Sequence, residues 1–83
     1  MRVRVLVRPK EGVLDPQGLA VERALPALGY EGVSSVRIGR LIELELAGTE
    51  PADVISSVEE MCERLLANPL VESYEVEPLD DGH

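Results

Sequence analysis

Val3, Val5 and Val7 alternate with Arg2, Arg4 and Arg8 at the start of the chain, and this alternation constrains the fold more than any other feature. A period of two puts the valines on one face of a strand and the arginines on the other. Only Leu6 breaks the polar face. Such a strand must bury its valine face under a second layer, and residues 49–69 supply one. Thr49-Glu50-Pro51 reads as a helix start, with Thr49 as N-cap, Pro51 in the first turn and Asp53 near the positive end of the helix dipole. At about 100° per residue, Val54, Ile55, Val58, Met61, Cys62, Leu65 and Leu66 fall in an arc of roughly 140°. Asn68-Pro69 ends the helix.

An earlier helix starts at Asp15-Pro16, the carboxylate accepting from orphan N–H groups and the proline standing where its missing donor costs nothing. It is expected to reach Leu28, with Val21, Ala24, Leu25 and Leu28 on one face and Gly29 as its stop. Pro26 should loosen the last turn, because it deletes the bond to the Glu22 carbonyl. Val33–Ile38 and Leu41–Leu46 read as a hairpin around Gly39-Arg40, with a type II′ turn. Leu70–Glu77 is the last strand, and residues 80–83 are read as a frayed, disordered tail.

The order βαββαβ within a single domain, residues 1–83, predicts an α+β two-layer sandwich. Its mainly antiparallel four-stranded sheet carries both helices on one face. The other face then lies open, with Arg2, Arg4, Leu6, Glu43 and Glu45 on it, and offers a docking surface for a second copy. Set beside the first strand, the second half of the hairpin can pair Glu43 and Glu45 with Arg2 and Arg4.

Charge supports that pairing. Residues 1–40 hold seven bases and four acids, a local net of +3, whereas residues 41–83 hold twelve acids and one base, Arg64, a net of −11. The whole chain stands at −8, which repels phosphate backbones, and two tyrosines make no stacking platform; nucleic-acid binding is therefore not expected. No apolar run approaches the ~20 residues that span a bilayer, and no signal-peptide pattern opens the chain, so the expected place is the cytoplasm, away from membranes. A chain of 83 residues buries only about 60% of its unfolded surface and keeps little net stability. One cysteine cannot form an intrachain disulfide, and one cysteine with one histidine cannot hold zinc. Association is the remaining way to bury more surface.

Few residues suggest chemistry. Cys62 lies in the middle of the apolar arc and reads as packing. His83 is terminal and cannot hold a proton-transfer geometry. Glu59-Glu60 and Asp80-Asp81 read as solvated acids, and the glycines form no phosphate-binding pattern. Arg37 and Arg40 stand out, since a hairpin tip needs a turn but not two guanidinium groups, and they are candidates for holding a phosphate or a partner carboxylate.

The run Lys10-Glu11-Gly12-Val13-Leu14-Asp15-Pro16-Gln17-Gly18, followed by Ala20-Val21 and Ala24-Leu25, resembles the signature of the PurS family. Val36-Arg37-Ile38-Gly39-Arg40 is similar to that family's hairpin, and Met61 through Tyr74 to its third block. Pro26 departs from the pattern, standing where the family's helix usually carries a helix-forming residue. The resemblance implies a small subunit of phosphoribosylformylglycinamidine synthase, an ATP-dependent carbon–nitrogen ligase of purine synthesis. It implies no catalytic, cofactor or metal residue in this chain, ATP and Mg being used by the large subunit. It also implies a homodimer, or a dimer of dimers, that joins the glutaminase and synthetase subunits and supports ammonia transfer, with Arg37, Arg40, Lys10 and Asn68 as expected partner contacts. The rival expectation is an ACT-like βαββαβ dimer that binds a small regulatory molecule, on fold analogy alone.

Overall fold

The computed structural model of the chain describes residues 1–79. The alternating segment forms β1 (Arg2–Pro9), followed by α1 (Pro16–Ala24), β2 (Arg40–Glu45), α2 (Pro51–Met61) and β3 (Glu72–Leu79). The sheet has three strands in the order β2-β1-β3, with both neighbours antiparallel to β1. β2 and β3 therefore run parallel to each other on either side of β1, joined through α2. Among the described residues no helix is long and apolar enough to cross a membrane.

The core is where the two periodicities meet. Val3, Val5 and Val7 are buried against Val54, Val58, Cys62 and Ala67, with Ile42, Leu44, Leu46, Tyr74 and Val76 packed around them. Met1 extends the β1–β2 ladder by one step, its ammonium donating to the Leu46 carbonyl at 2.7 Å while its own carbonyl accepts from Leu46 N at 2.9 Å.

Three expectations need correction. The sheet has three strands, not four: Val33–Ile38 joins no ladder. Ser35 takes a left-handed φ of 58°, which breaks an extended run at its midpoint. Beyond it, Val36 N donates to Glu22 Oε1 at 3.4 Å and Ile38 N to Asp15 Oδ2 at 2.7 Å, so α1 carboxylates take the place of a strand partner. Gly39-Arg40 is consequently not a hairpin turn. Second, only α2 covers the sheet. Gly18 is the one buried residue of α1, and no α1 side chain enters the core. Third, α2 starts from Glu50 and not from Thr49, without a side-chain cap.

Two helix ends show why local rules bend. Leu25–Leu28 tightens into a 3₁₀ turn directly after α1, with Pro26 inside it and Gly29 closing it at φ 97°; α1 itself ends at Ala24, and the last turn is tightened where Pro26 was expected to loosen it. After Met61 the chain widens into a π turn, Cys62–Leu66, in which Ala67 N reaches the Cys62 carbonyl at 3.1 Å. The extra residue per turn carries Leu65 off the apolar arc, and Leu65 is 82% exposed.

α1, its 3₁₀ turn and residues 30–38 form an arm beside the sheet-and-helix body. The Cα extents are 49 × 33 × 14 Å with a radius of gyration of 16.3 Å, against about 12 Å for a compact chain of this length.

Candidate functional site

The thiol of the chain is absorbed by packing. Cys62 is fully buried; burial first, then the nearby Glu63 and Glu59 charges, push its thiol up, away from the reactive thiolate. Glu59 and Glu60 are exposed on α2, Glu60 lying 3.8 Å from Arg64 one turn on. No group of three or more metal-ligating side chains occurs among the described residues. His83 and Asp80-Asp81 lie outside them, as does the tail expected over 80–83.

Arg37 and Arg40 serve the fold. Arg37 Nη2 donates to the Pro9 carbonyl at 2.8 Å and the Lys10 carbonyl at 2.6 Å, tying the arm to the end of β1. Arg40 Nη1 and Nη2 grip the Glu72 carboxylate at 2.9 and 3.2 Å, and Nη2 also donates to the Leu66 carbonyl at 2.7 Å. That carbonyl belongs to the π turn, so Arg40 caps a helix end left with orphan acceptors. Glu72 accepts in addition from Asn68 N at 2.7 Å. The Arg40 hydrogen bonds first, then the Asn68 N–H, hold the Glu72 carboxyl below its ordinary value. Asn68 closes the turn through its side chain, which accepts from Leu70 N at 3.2 Å. The hairpin tip on which Arg37 and Arg40 were expected does not exist, and both guanidinium groups bond backbone carbonyls of the fold.

Asp15 is a latch as well as an N-cap. One carboxylate oxygen accepts from Gly18 N at 3.0 Å and the other from Ile38 N at 2.7 Å. These two bonds, with a smaller contribution from Arg37, hold its carboxyl below the ordinary range. Gly18 fits the same joint because a Cβ there would collide with the Val36 carbonyl oxygen and the Asp15 carboxylate. The arm's apolar residues nevertheless face outward: Leu14 is 75% exposed, Leu28 70% and Tyr30 60%, with Val21 and Val33 also exposed.

The sheet face opposite α2 is charge-striped. The register sets Arg2 against Glu45 and Arg4 against Glu43, as the alternation predicts. The close ion pairs form on the other side, Arg4 Nε with Glu77 at 2.9 Å and Arg8 Nη2 with Glu75 at 3.1 Å. A basic central strand thus lies between two acidic ones, and Leu6, paired with the exposed Leu41, interrupts the stripe. Sequence reasoning missed Glu72 as the hub of the Arg40 node, and Glu63, which accepts from the Tyr74 hydroxyl at 2.7 Å and pushes it up to about 12. The one available signal for Glu72 was its place just after Asn68-Pro69.

Taken together, these features define a small α+β subunit whose polar side chains tie its own backbone and whose arm holds Val21, Leu28, Tyr30 and Val33 exposed. The model of the PurS family, phosphoribosylformylglycinamidine (FGAM) synthase, matches residues 2–80, and the chain belongs to that family. It is 48% identical over 73 residues to the PurS subunit of the synthase from Synechocystis sp., covering 88% of this chain and 71% of that one. Against the PurS subunit of Bacillus subtilis it is 47% identical over 76 residues, covering 92% and 89%. The fold superposes on a chain from the structure of PurLQS from Thermotoga maritima with a TM-score of 0.84 at 35% identity, covering 94% of this chain and 95% of that one. The function is accordingly that of the PurS subunit of FGAM synthase in purine biosynthesis.

Proposed function

We propose that this chain is the non-catalytic scaffold of that synthase, working in the cytoplasm as a homodimer that holds the glutaminase and ATP-dependent synthetase subunits together. On this reading ammonia released from glutamine in one partner reaches the other, which uses ATP and Mg to convert formylglycinamide ribonucleotide to formylglycinamidine ribonucleotide; this chain binds neither. The observation that carries the reading is the arm: a helix with one buried residue, Gly18, beside the apolar side chains of Val21, Leu28, Tyr30 and Val33, which stand exposed among the described residues. The buried, raised thiol of Cys62 agrees with a subunit that supplies no nucleophile. The relative from Thermotoga maritima, whose structure is that of PurLQS, supports the assembly role over a metabolite-sensing dimer.

Reconstitution tests the proposal. Mixing the synthetase and glutaminase subunits with and without this chain should give glutamine-dependent product only with it, and equal rates overturn the scaffold. Light scattering should give about twice the 9.1 kDa of one chain; a monomer at micromolar concentration overturns the homodimer.

A further inference from the structure

An open groove of about 520 Å³ crosses one end of the sheet, lined chiefly by Leu6, Arg8, Arg37, Gly39, Arg40 and Leu41. Three of the chain's eight bases line it, and among the described residues no acidic one does. Each guanidinium is anchored on one side: Arg8 by Glu75, Arg37 by the Pro9 and Lys10 carbonyls, and Arg40 by Glu72 and the Leu66 carbonyl. A guanidinium has five N–H donors, so each keeps donors free while its position is already set. Binding at such groups costs little further side-chain entropy. Leu6 and Leu41, neighbours across the β1–β2 ladder, lie on the same sheet face as Arg8, Leu41 being 56% exposed, whereas Arg40, opposite Val7, projects on the α2 side. Gly39 keeps the surface low, since a Cβ there would collide with the Val7 carbonyl.

We propose that this groove docks an extended acidic segment of a partner subunit, its carboxylates on Arg8 and Arg37 and a leucine-like side chain on Leu6 and Leu41. The inference rests on the assembly role proposed above. With a net charge of −8, the rest of the surface repels such a segment, so the patch sets where it lands. A free phosphate fits less well, because phosphate sites converge backbone N–H donors on the anion and the backbone group meeting Gly39 is a carbonyl.

The probe is a fluorescein-labelled Glu-Leu-Glu-Ser-Glu-Leu-Glu-Ser peptide, titrated with the full chain by fluorescence anisotropy. Arg8→Gln should weaken binding by about three- to tenfold, a range set by one partly exposed charge pair. Glu75→Gln should tighten it, because it removes a competing negative charge beside Arg8; a pair that only supports the fold would move both variants the same way. Raising salt from about 50 to 500 mM should weaken binding about tenfold. Unchanged binding in Arg8→Gln, weaker binding in Glu75→Gln, or displacement of the peptide by millimolar inorganic phosphate each overturn the proposal. In the reconstituted complex, the chain concentration giving half-maximal glutamine-dependent activity should rise for Arg8→Gln and fall for Glu75→Gln, with the maximal rate unchanged. If activity needs the chain but ignores both variants, the groove fails and the scaffold stands; if activity does not need the chain, the scaffold itself fails.

Discussion

Replacing Arg40 by alanine should destabilise the isolated chain. The change removes two bonds to the Glu72 carboxylate and one to the Leu66 carbonyl of the π turn. The Arg40 side chain is 51% exposed while that of Glu72 is 19% exposed, so the ion pair is partly screened and worth at most about 1 kcal/mol. The carbonyl contact adds about 1 kcal/mol, for a total loss of about 1–2 kcal/mol. In a domain of this size each kcal/mol moves the midpoint by roughly 4–8 °C, giving a drop of about 5–15 °C in circular dichroism melts run at one protein concentration. Arg40→Lys should recover only a minor part, since an ammonium lacks the fork that reaches Glu72 and Leu66 together. Arg64→Ala is the control: its pair with Glu60 is 3.8 Å apart and both side chains are more than 70% exposed, so the melt should stay within about 0.5 kcal/mol of the wild type. The pH dependence has a definite sign. Glu72 has its carboxyl lowered in the folded state from 4.5, so its contribution is present above that value and is lost as pH falls through the lower folded one. The gap between wild type and Arg40→Ala should therefore narrow below about pH 4.5. An Arg40→Ala melt within 1 °C of the wild type, or a gap that widens in acid, refutes the node.

Three further outcomes are expected. Gly18→Ala should part α1 from residues 30–38 within the arm, because its Cβ meets the Val36 carbonyl; limited proteolysis should then cut near residues 30–36 at least tenfold faster, and unchanged cutting sinks the latch. Cys62 should react with a thiol reagent only as fast as the body unfolds, urea accelerating it in step with the loss of β-sheet signal, and rapid native labelling contradicts its burial. In a Tyr30→Phe background, absorbance titration should place Tyr74 near 12, and Glu63→Gln should bring it back toward 10, because ionising the phenol beside a carboxylate is what raises it; no movement would remove Glu63 as the cause.

The elements legible in the sequence are those whose side chains meet the core. The Val3-Val5-Val7 alternation, the Val54-Val58-Cys62 spacing and the Arg2/Glu45 and Arg4/Glu43 register all follow from burying one face. What the sequence concealed depends on partners far along the chain. Val33–Ile38 carries strand-like residues, yet its amides go to Asp15 and Glu22, 23 and 14 positions away, and Ser35 adopts a left-handed backbone that nothing local announces. The π turn adds a residue at Cys62–Leu66 that helical periodicity cannot foresee. Arg37 and Arg40 looked surplus because their acceptors stand 26 to 32 positions away. The missing fourth strand and the Arg37 tie have one origin: residues 30–39 bond to side chains and to loop carbonyls where a ladder was expected.

That origin also explains why the chain divides its stability unevenly. The body closes around seven buried residues on β1, α2 and the end of the π turn. The arm's nine-residue helix is shorter than the ~12–15 residues at which helices become marginal alone; a carboxylate latch and a glycine contact join it to residues 36–38, and the arm is held to the body by the Arg37 tie. Its remaining asset is the apolar surface of Val21, Leu28, Tyr30 and Val33, which stabilises nothing until another surface covers it. Under the scaffold proposal, folding of the arm and assembly are then a single equilibrium: a covering partner adds its binding free energy to the arm alone, leaving the body's stability where Arg40, Glu72 and the valine core set it. Hydrogen exchange should therefore slow in residues 16–38 on assembly while the β1 and α2 amides keep their rates. Uniform protection of arm and body would mean that the two fold as one unit and that the division drawn from Gly18, Asp15 and Ser35 is wrong.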